Sequence, residues 1–198
     1  MVYFREEPFI EDMALHSIKK YKQLIARVDK TCRVVQEGYA GQIACRKGCA
    51  GNCCRIHLSV FPIEAVSLAR ALKKLPREMA QYIRNKAKTT DNFSRCPLLE
   101  DGACLMYASR LVICRTHGLP LVYWHEETDP PGYGVMFCEQ NFHNADNIDF
   151  GPDTTLNMDE VNEKLARINI AFLEANPDLN HQPTDRIALR ELLKSLLE

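Results

Sequence analysis

The chain has no apolar run near the roughly 18 residues that a membrane-spanning helix requires. A helical membrane span is therefore not expected, and no membrane partner. Excess positive charge is missing too: 25 lysines and arginines stand against 26 acidic residues, for a formal net charge of −1. No global basic field invites nucleic acid, so neither DNA nor RNA is expected as a partner. The opening residues, MVYFREEPFIEDM, carry acidic side chains where a secretory signal is basic and then continuously apolar. The expected location is cytoplasmic.

Several motifs of common chemistry are also absent. There is no phosphate loop, no dinucleotide fingerprint, no H-E-x-x-H helix and no recognisable setting for a Ser-His-Asp triad. No internal repeat or low-complexity tract breaks the chain, so 198 residues read as one domain or one core with helical additions. These absences leave no reaction to assign. The chain also lacks any C-x2-C pair, on which zinc ribbons, zinc fingers and ferredoxin-type sites lean. The C-x3-C-x3-C run at Cys45, Cys49 and Cys53 is one residue longer than the C-x3-C-x2-C of radical enzymes that use S-adenosylmethionine. The strand–helix alternation of their barrel is missing as well.

Cysteine itself is abundant. Eight of the nine cysteines lie between positions 45 and 138: Cys45, Cys49, Cys53, Cys54, Cys96, Cys104, Cys114 and Cys138. In a reducing compartment such density points to metal ligands or redox groups rather than structural disulfides. Thiolate is the soft donor that zinc and iron–sulfur clusters require. The eight form the expected ligand set. Cys32, distant in sequence and on a helical stretch, reads as a small buried hydrophobe outside the site. Cys53 and Cys54 are adjacent, and neighbouring side chains diverge in helix and strand alike. The two are expected to serve different metals, or to divide into a ligand and a bridging or outer thiol. Arg110 and Arg115 are the best candidates to offset the negative charge of a thiolate centre. Arg46, Lys47, Arg55 and Arg95 also lie close to the cysteines in sequence. His117, three residues after Cys114, can complete a mixed site, but eight cysteines do not need it.

Hydrophobic periodicity predicts helices over about 9–37, 62–75, 77–89, 157–175 and 185–197. In the first, Ile10, Met13, Ser17, Ile18, Tyr21, Leu24, Ile25 and Val28 form the apolar stripe and Gly38 a stop. Pro62 opens the second and Pro76 ends it. In the third, Met79, Ile83 and Ala87 point inward. Asn157 with Glu160 marks the start of the fourth, and Val161, Leu165, Ile168 and Phe172 form its inner face. The last helix starts at Thr184 or Asp185. Its leucines, Leu189, Leu192, Leu193, Leu196 and Leu197, read as core packing, with docking on a partner protein as the alternative. Between 92 and 144, Glu100-Asp101-Gly102 is a turn, and Leu111–Ile113, Leu119–Trp124 and the alternating Tyr133, Val135 and Phe137 allow two or three short strands. Trp124 reads as core or rim packing. Residues 145–157 are polar and read as a linker. The fold class expected is mainly α around an irregular, cysteine-rich, metal-centred core. The division is an N-terminal helix at 1–40, a cysteine-cluster domain at 41–144 and a helical extension at 145–198 packed on it.

Two stretches carry a resemblance. Cys45-Arg46-Lys47-Gly48-Cys49, then Cys53-Cys54 and Glu64-Ala65, form the first. Cys96, Pro97, Leu99, Gly102, Cys104, Tyr107, Arg110, Cys114 and Arg115 form the second, and more specific, one. Residues 43–138 resemble the YkgJ-like cysteine-cluster family, described as a zinc- or iron-chelating domain with a CxxCxxCC signature. Ala50-Gly51-Asn52 is longer than the family's usual spacing, and Leu111 stands where proline is usual. The resemblance implies a chelated zinc ion or an iron–sulfur cluster, 4Fe–4S in the case of iron, and no reaction. Related domains resemble part of certain flagellin lysine methylases. An iron–sulfur oxidoreductase or methyltransferase-associated protein is thus one alternative function, and an interaction module acting through the C-terminal helix is another.

Overall fold

The computed structural model describes residues 7–45, 52–55, 57–89, 95–143 and 148–195, the side chains of residues 7–13, 52 and 55 excepted. Helices dominate. In chain order the elements are α1 (Glu7–Gly38), β1 (Ser59–Val60), α2 (Pro62–Leu72), α3 (Arg77–Thr89), β2 (Leu99–Glu100), β3 (Ala103–Cys104) and α4 (Val112–Thr116). They continue with β4 (Leu121–His125), β5 (Gly132–Met136), β6 (Leu156–Asn157), α5 (Met158–Glu174), β7 (Ile187–Ala188) and α6 (Leu189–Ser195). The mainly α architecture expected from periodicity is present. No helix among the described residues is long and apolar enough to cross a membrane.

Two apolar cores organise the chain. The first is built on α1, whose Ile18, Tyr21, Leu24, Val28, Cys32 and Val35 recur at helical spacing and pack with Leu165, Phe172 and Leu173 of α5. Phe61, Ile63, Val112, Leu119, Leu121, Phe142 and Leu156 complete it. The second joins Leu68 and Leu72 of α2, Ile83 and Ala87 of α3, Leu98, Met106, Leu111, and Leu189, Leu192 and Leu193 of α6. The leucine stripe of α6 is therefore core packing as far as Leu193, which is 1% exposed and closed to any partner. Leu196 and Leu197 lie outside the described residues.

Buried polar groups fasten the helix ends between these cores. Glu64 accepts from the Phe61 N–H (3.3 Å) just before α2 and from the Val112 N–H (3.2 Å) at the start of α4. Asn169 of α5 accepts from the Ile63 N–H at 3.2 Å. N–H groups at a helix start have no partner within the helix, so each of these contacts meets a need the backbone creates. Asn157 caps α5 by accepting from the Glu160 N–H at 3.1 Å, as its spacing predicts.

Four expectations need correction. The last helix begins at Leu189, because Ile187 and Ala188 are extended and pair antiparallel with Val60 and Ser59. Of the linker expected over 145–157, residues 145–147 lie outside the described residues, and the rest is not simply a linker. Residues 152–154 form a 3-10 turn, and Leu156, 2% exposed, belongs to β6, which pairs parallel with β4. Leu111–Ile113 is not a strand, since Val112 and Ile113 open α4. Met79 is 40% exposed, and Ala80 takes the inward position on α3.

Candidate metal centre

The second cysteine motif builds a hairpin and two arginine fastenings. β2 and β3 pair as Leu99 with Cys104 and Glu100 with Ala103. The two loop residues, Asp101 and Gly102, both take positive φ, 45° and 77°. That is the backbone of a two-residue turn matched to strand twist, and it explains the glycine. Tyr107 lies beneath Arg110, whose guanidinium carbon is 3.7 Å from the ring centroid. Arg110 also donates to the carbonyls of Tyr107 and Cys114, both at 3.1 Å. Arg115 donates from Nη1 to both carboxylate oxygens of Asp29 on α1, each at 2.7 Å. It also reaches the carbonyls of Arg110 (2.7 Å) and Ala108 (2.8 Å). The residues around the cysteines thus fasten the loop that carries Cys104 and Cys114 to α1.

A cavity of about 430 Å³ opens where the two cores meet. Cys32, Cys45, Cys53, Cys54, Cys96, Cys104 and Cys114 line it, with His117, Arg33 and Arg110. The Cys96 N–H bonds the Cys54 carbonyl at 2.6 Å, which joins the two cysteine stretches directly. Cys53 and Cys54 sit on a 3-10 turn and both line the cavity. The Cys53 thiol donates to Cys54, which pulls Cys54 below the ordinary thiol range and pushes Cys53 above it. Burial raises Cys96 and Cys104, and it pushes Cys114 up to about 12. Arg110 acts in the opposite direction on Cys104 and Cys114. Burial also holds the His117 imidazole below its usual range. The cavity thiols raised by burial are neutral near pH 7, and ligation must remove their protons.

Cys45, at the cavity wall, and Cys138, outside the lining, both pack against Gly118. Asn141, 1% exposed, holds them there. Its Oδ1 accepts from the N–H groups of Ala44 (2.8 Å) and Cys45 (3.1 Å). Its Nδ2 donates to the Gly118 carbonyl (2.5 Å) and the Cys45 sulfur (3.4 Å). All four capacities of the amide are used. The Cys138 N–H bonds the same Gly118 carbonyl at 3.2 Å. Gly118 has φ +96°, and a Cβ there would lie 2.7 Å from the Cys45 sulfur. Gly118→Ala is therefore expected to destabilise the fold by roughly 1–3 kcal/mol through strain and overlap. It should also raise the reactivity of Cys45 toward an alkylating agent. Parent-like denaturation and labelling would contradict this packing.

The structure brings Cys45, Cys53, Cys54, Cys96, Cys104 and Cys114 to one cavity, with Cys138 outside the lining and beside Gly118. Cys49 lies outside the described residues, as do Arg46 and Lys47. Among the described residues no three Cys, His, Asp or Glu side chains converge as a group able to hold a metal ion. Arg110 faces the thiols as expected. Arg115 does not serve as a free counter-charge, because Asp29 neutralises it. Cys32 is buried on α1, donates to the Arg115 carbonyl at 3.6 Å, and is pushed up to about 11 by burial. Sequence reasoning missed Arg33, Asp29 and Asn141. Arg33 has the only local signal, lying next to Cys32 on a helix predicted to face the core. No family model, curated protein or solved structure matches this chain.

Proposed function

We propose that the protein is a metal-binding protein whose metal is held by cysteine thiolates in the cavity between the two cores. The ligands are drawn from Cys45, Cys49, Cys53, Cys54, Cys96, Cys104, Cys114 and Cys138. The metal is zinc or an iron–sulfur cluster, 4Fe–4S in the case of iron. One observation carries this. Cys53 and Cys54 come from one cysteine stretch and Cys96, Cys104 and Cys114 from another, about 40 residues on, yet all line one cavity. The donor set fits a soft metal. It is thiol-rich, and Asp29, the acidic residue in the lining, is bound to Arg115. The second cysteine motif supports the same reading through its likeness to the YkgJ-like family.

The protein's contribution is positioning and charge. Arg110 and Arg33 supply positive charge beside the thiolates. Glu64 and Asn169 fix α2 against α4 and α5. A zinc ion held by thiolates cross-links the segments that carry them, and a cluster adds one-electron chemistry.

The test is metal analysis of protein purified without oxygen, followed by a pH titration of metal affinity. Absorption in the visible range separates a cluster from zinc. Because burial holds Cys96, Cys104 and Cys114 protonated, binding through four thiolates should release roughly three to four protons per ion. Affinity should then fall as pH falls, by about tenfold per pH unit for each proton released. Stoichiometric metal with this slope is the expected result. Protein that neither retains nor takes up zinc or iron would end the proposal.

A further inference from the structure

The charge of the chain is unevenly placed. Between Arg115 and Lys164 there is no lysine or arginine, while ten of the 26 acidic residues fall in that stretch. Its centre is the β4–β5 hairpin. β5 is an edge strand, since the sheet order is β5-β4-β6. Among the described residues, no backbone group of Gly132–Met136 bonds outside the ladder with β4. Natural edges are commonly blunted by lysine, proline or a bulge within the strand. Here the strand reads Gly-Tyr-Gly-Val-Met, and no such device interrupts it.

One face of this edge carries two exposed aromatics. Trp124 and Tyr133 are register partners, so they share a face, and their rings meet edge-on at 5.0 Å. They are 46% and 65% exposed. Acidic groups surround them. Glu126, Glu127 and Asp129 at the hairpin tip are exposed and enter no ion pair among the described residues. Asp159 accepts from the Trp124 N–H at 2.8 Å.

From these features we infer that the β4–β5 hairpin docks an extended, lysine- or arginine-rich segment of a partner protein, which adds as a strand along β5. Main-chain bonds to the open edge supply the pairing. Cationic side chains on alternate residues then share one face, lie over Trp124 and Tyr133, and meet the acidic tip. Nucleic acid is repelled by the same charge. The interaction is separate from metal binding and is expected alike with and without metal.

Trp124 is the chain's only tryptophan, so its emission reports directly on the site. The full chain is titrated with three short synthetic peptides. One alternates lysine and valine, one alternates glutamate and valine, and one is the lysine–valine peptide N-methylated along its backbone. Amide chemical shifts of residues 132–136 provide a second readout. The lysine–valine peptide is expected to shift both signals saturably and more weakly at high salt, with no response to the other two. Tyr133→Ala should weaken binding about fivefold, and Tyr133→Phe should retain it. Glu126→Gln with Glu127→Gln should weaken it as well. Equal binding of the N-methylated peptide would show charge attraction without strand addition and overturn the inference. So would equal binding of the glutamate peptide. A dimer of the chain alone that Tyr133→Ala dissociates would assign the edge to a second copy instead.

Discussion

Cys104→Ser is expected to strip the metal from the protein, and Cys96→Ser and Cys114→Ser to do the same. Serine keeps the volume but replaces a soft donor with a hard one. A four-thiolate zinc site holds its ion with about 10–16 kcal/mol of apparent free energy. Losing one ligand then removes on the order of 3 kcal/mol, or more than a hundredfold in affinity. Cys32→Ser is the internal control. Its sulfur lines the same cavity, but it is raised by burial and bonded to the Arg115 carbonyl, so metal content should survive. Metal analysis of the four variants decides. Loss in Cys32→Ser with retention in Cys96→Ser and Cys104→Ser would reverse the ligand assignment. Hydrogen exchange adds a structural readout. Metal removal by a strong chelator should loosen residues 41–144 first, because ligation joins segments separated by α2 and α3. Equal protection there with and without metal would leave the cysteines as ordinary buried thiols.

Asn141→Ala should produce the largest loss of fold stability among single changes near the site. The substitution removes four hydrogen bonds at once and leaves the Ala44 and Cys45 N–H groups without their acceptor. Buried unsatisfied groups cost about 1–3 kcal/mol each, so a total near 3–5 kcal/mol is expected. For a chain of this size that is roughly a 10 °C fall in Tm. Asn141→Asp is the informative companion. It keeps the acceptor for the two N–H groups but turns a second oxygen toward the Gly118 carbonyl and the Cys45 sulfur. It too should destabilise, and both variants should expose Cys45 and Cys138 to alkylation. Denaturation within about 1 kcal/mol of the parent would show that Asn141 does not organise this corner.

The helices were legible because their signal is local. The α1 stripe from Ser17 to Val28 repeats at helical spacing and is buried as predicted, with Ile25 half-buried. The Asn157 cap lies three residues from its partner. What was not legible depends on residues far apart. Ile187 and Ala188 continue a helical pattern in sequence, and only Ser59 and Val60 make them a strand. Leu156 sits in a polar stretch and is buried because β4 lies beside it. Met79 outranks Ala80 in apolarity, yet α3 presents the smaller side chain to the core. In the site, cysteine density pointed to the cavity, but Arg115 reads as a free cation until Asp29, 86 residues away, is placed on it. Asn141 offered no signal at all, since Glu139-Gln140-Asn141 is an ordinary polar run.

The short ladder between β1 and β7 also bears on how the protein is made. Residues 59–60 cannot complete their pairing until residues 187–188 have left the ribosome. The second core likewise waits for Leu189, Leu192 and Leu193, and Leu189 is itself part of the cavity wall. Pairings of such long sequence separation carry a high contact order, which slows folding. Until residues 187–193 are made, this wall of the cavity is missing and the thiols beside it stay open to solvent. Under the proposed function, the thiolate ligands are easier for a metal to reach before α6 docks than after it.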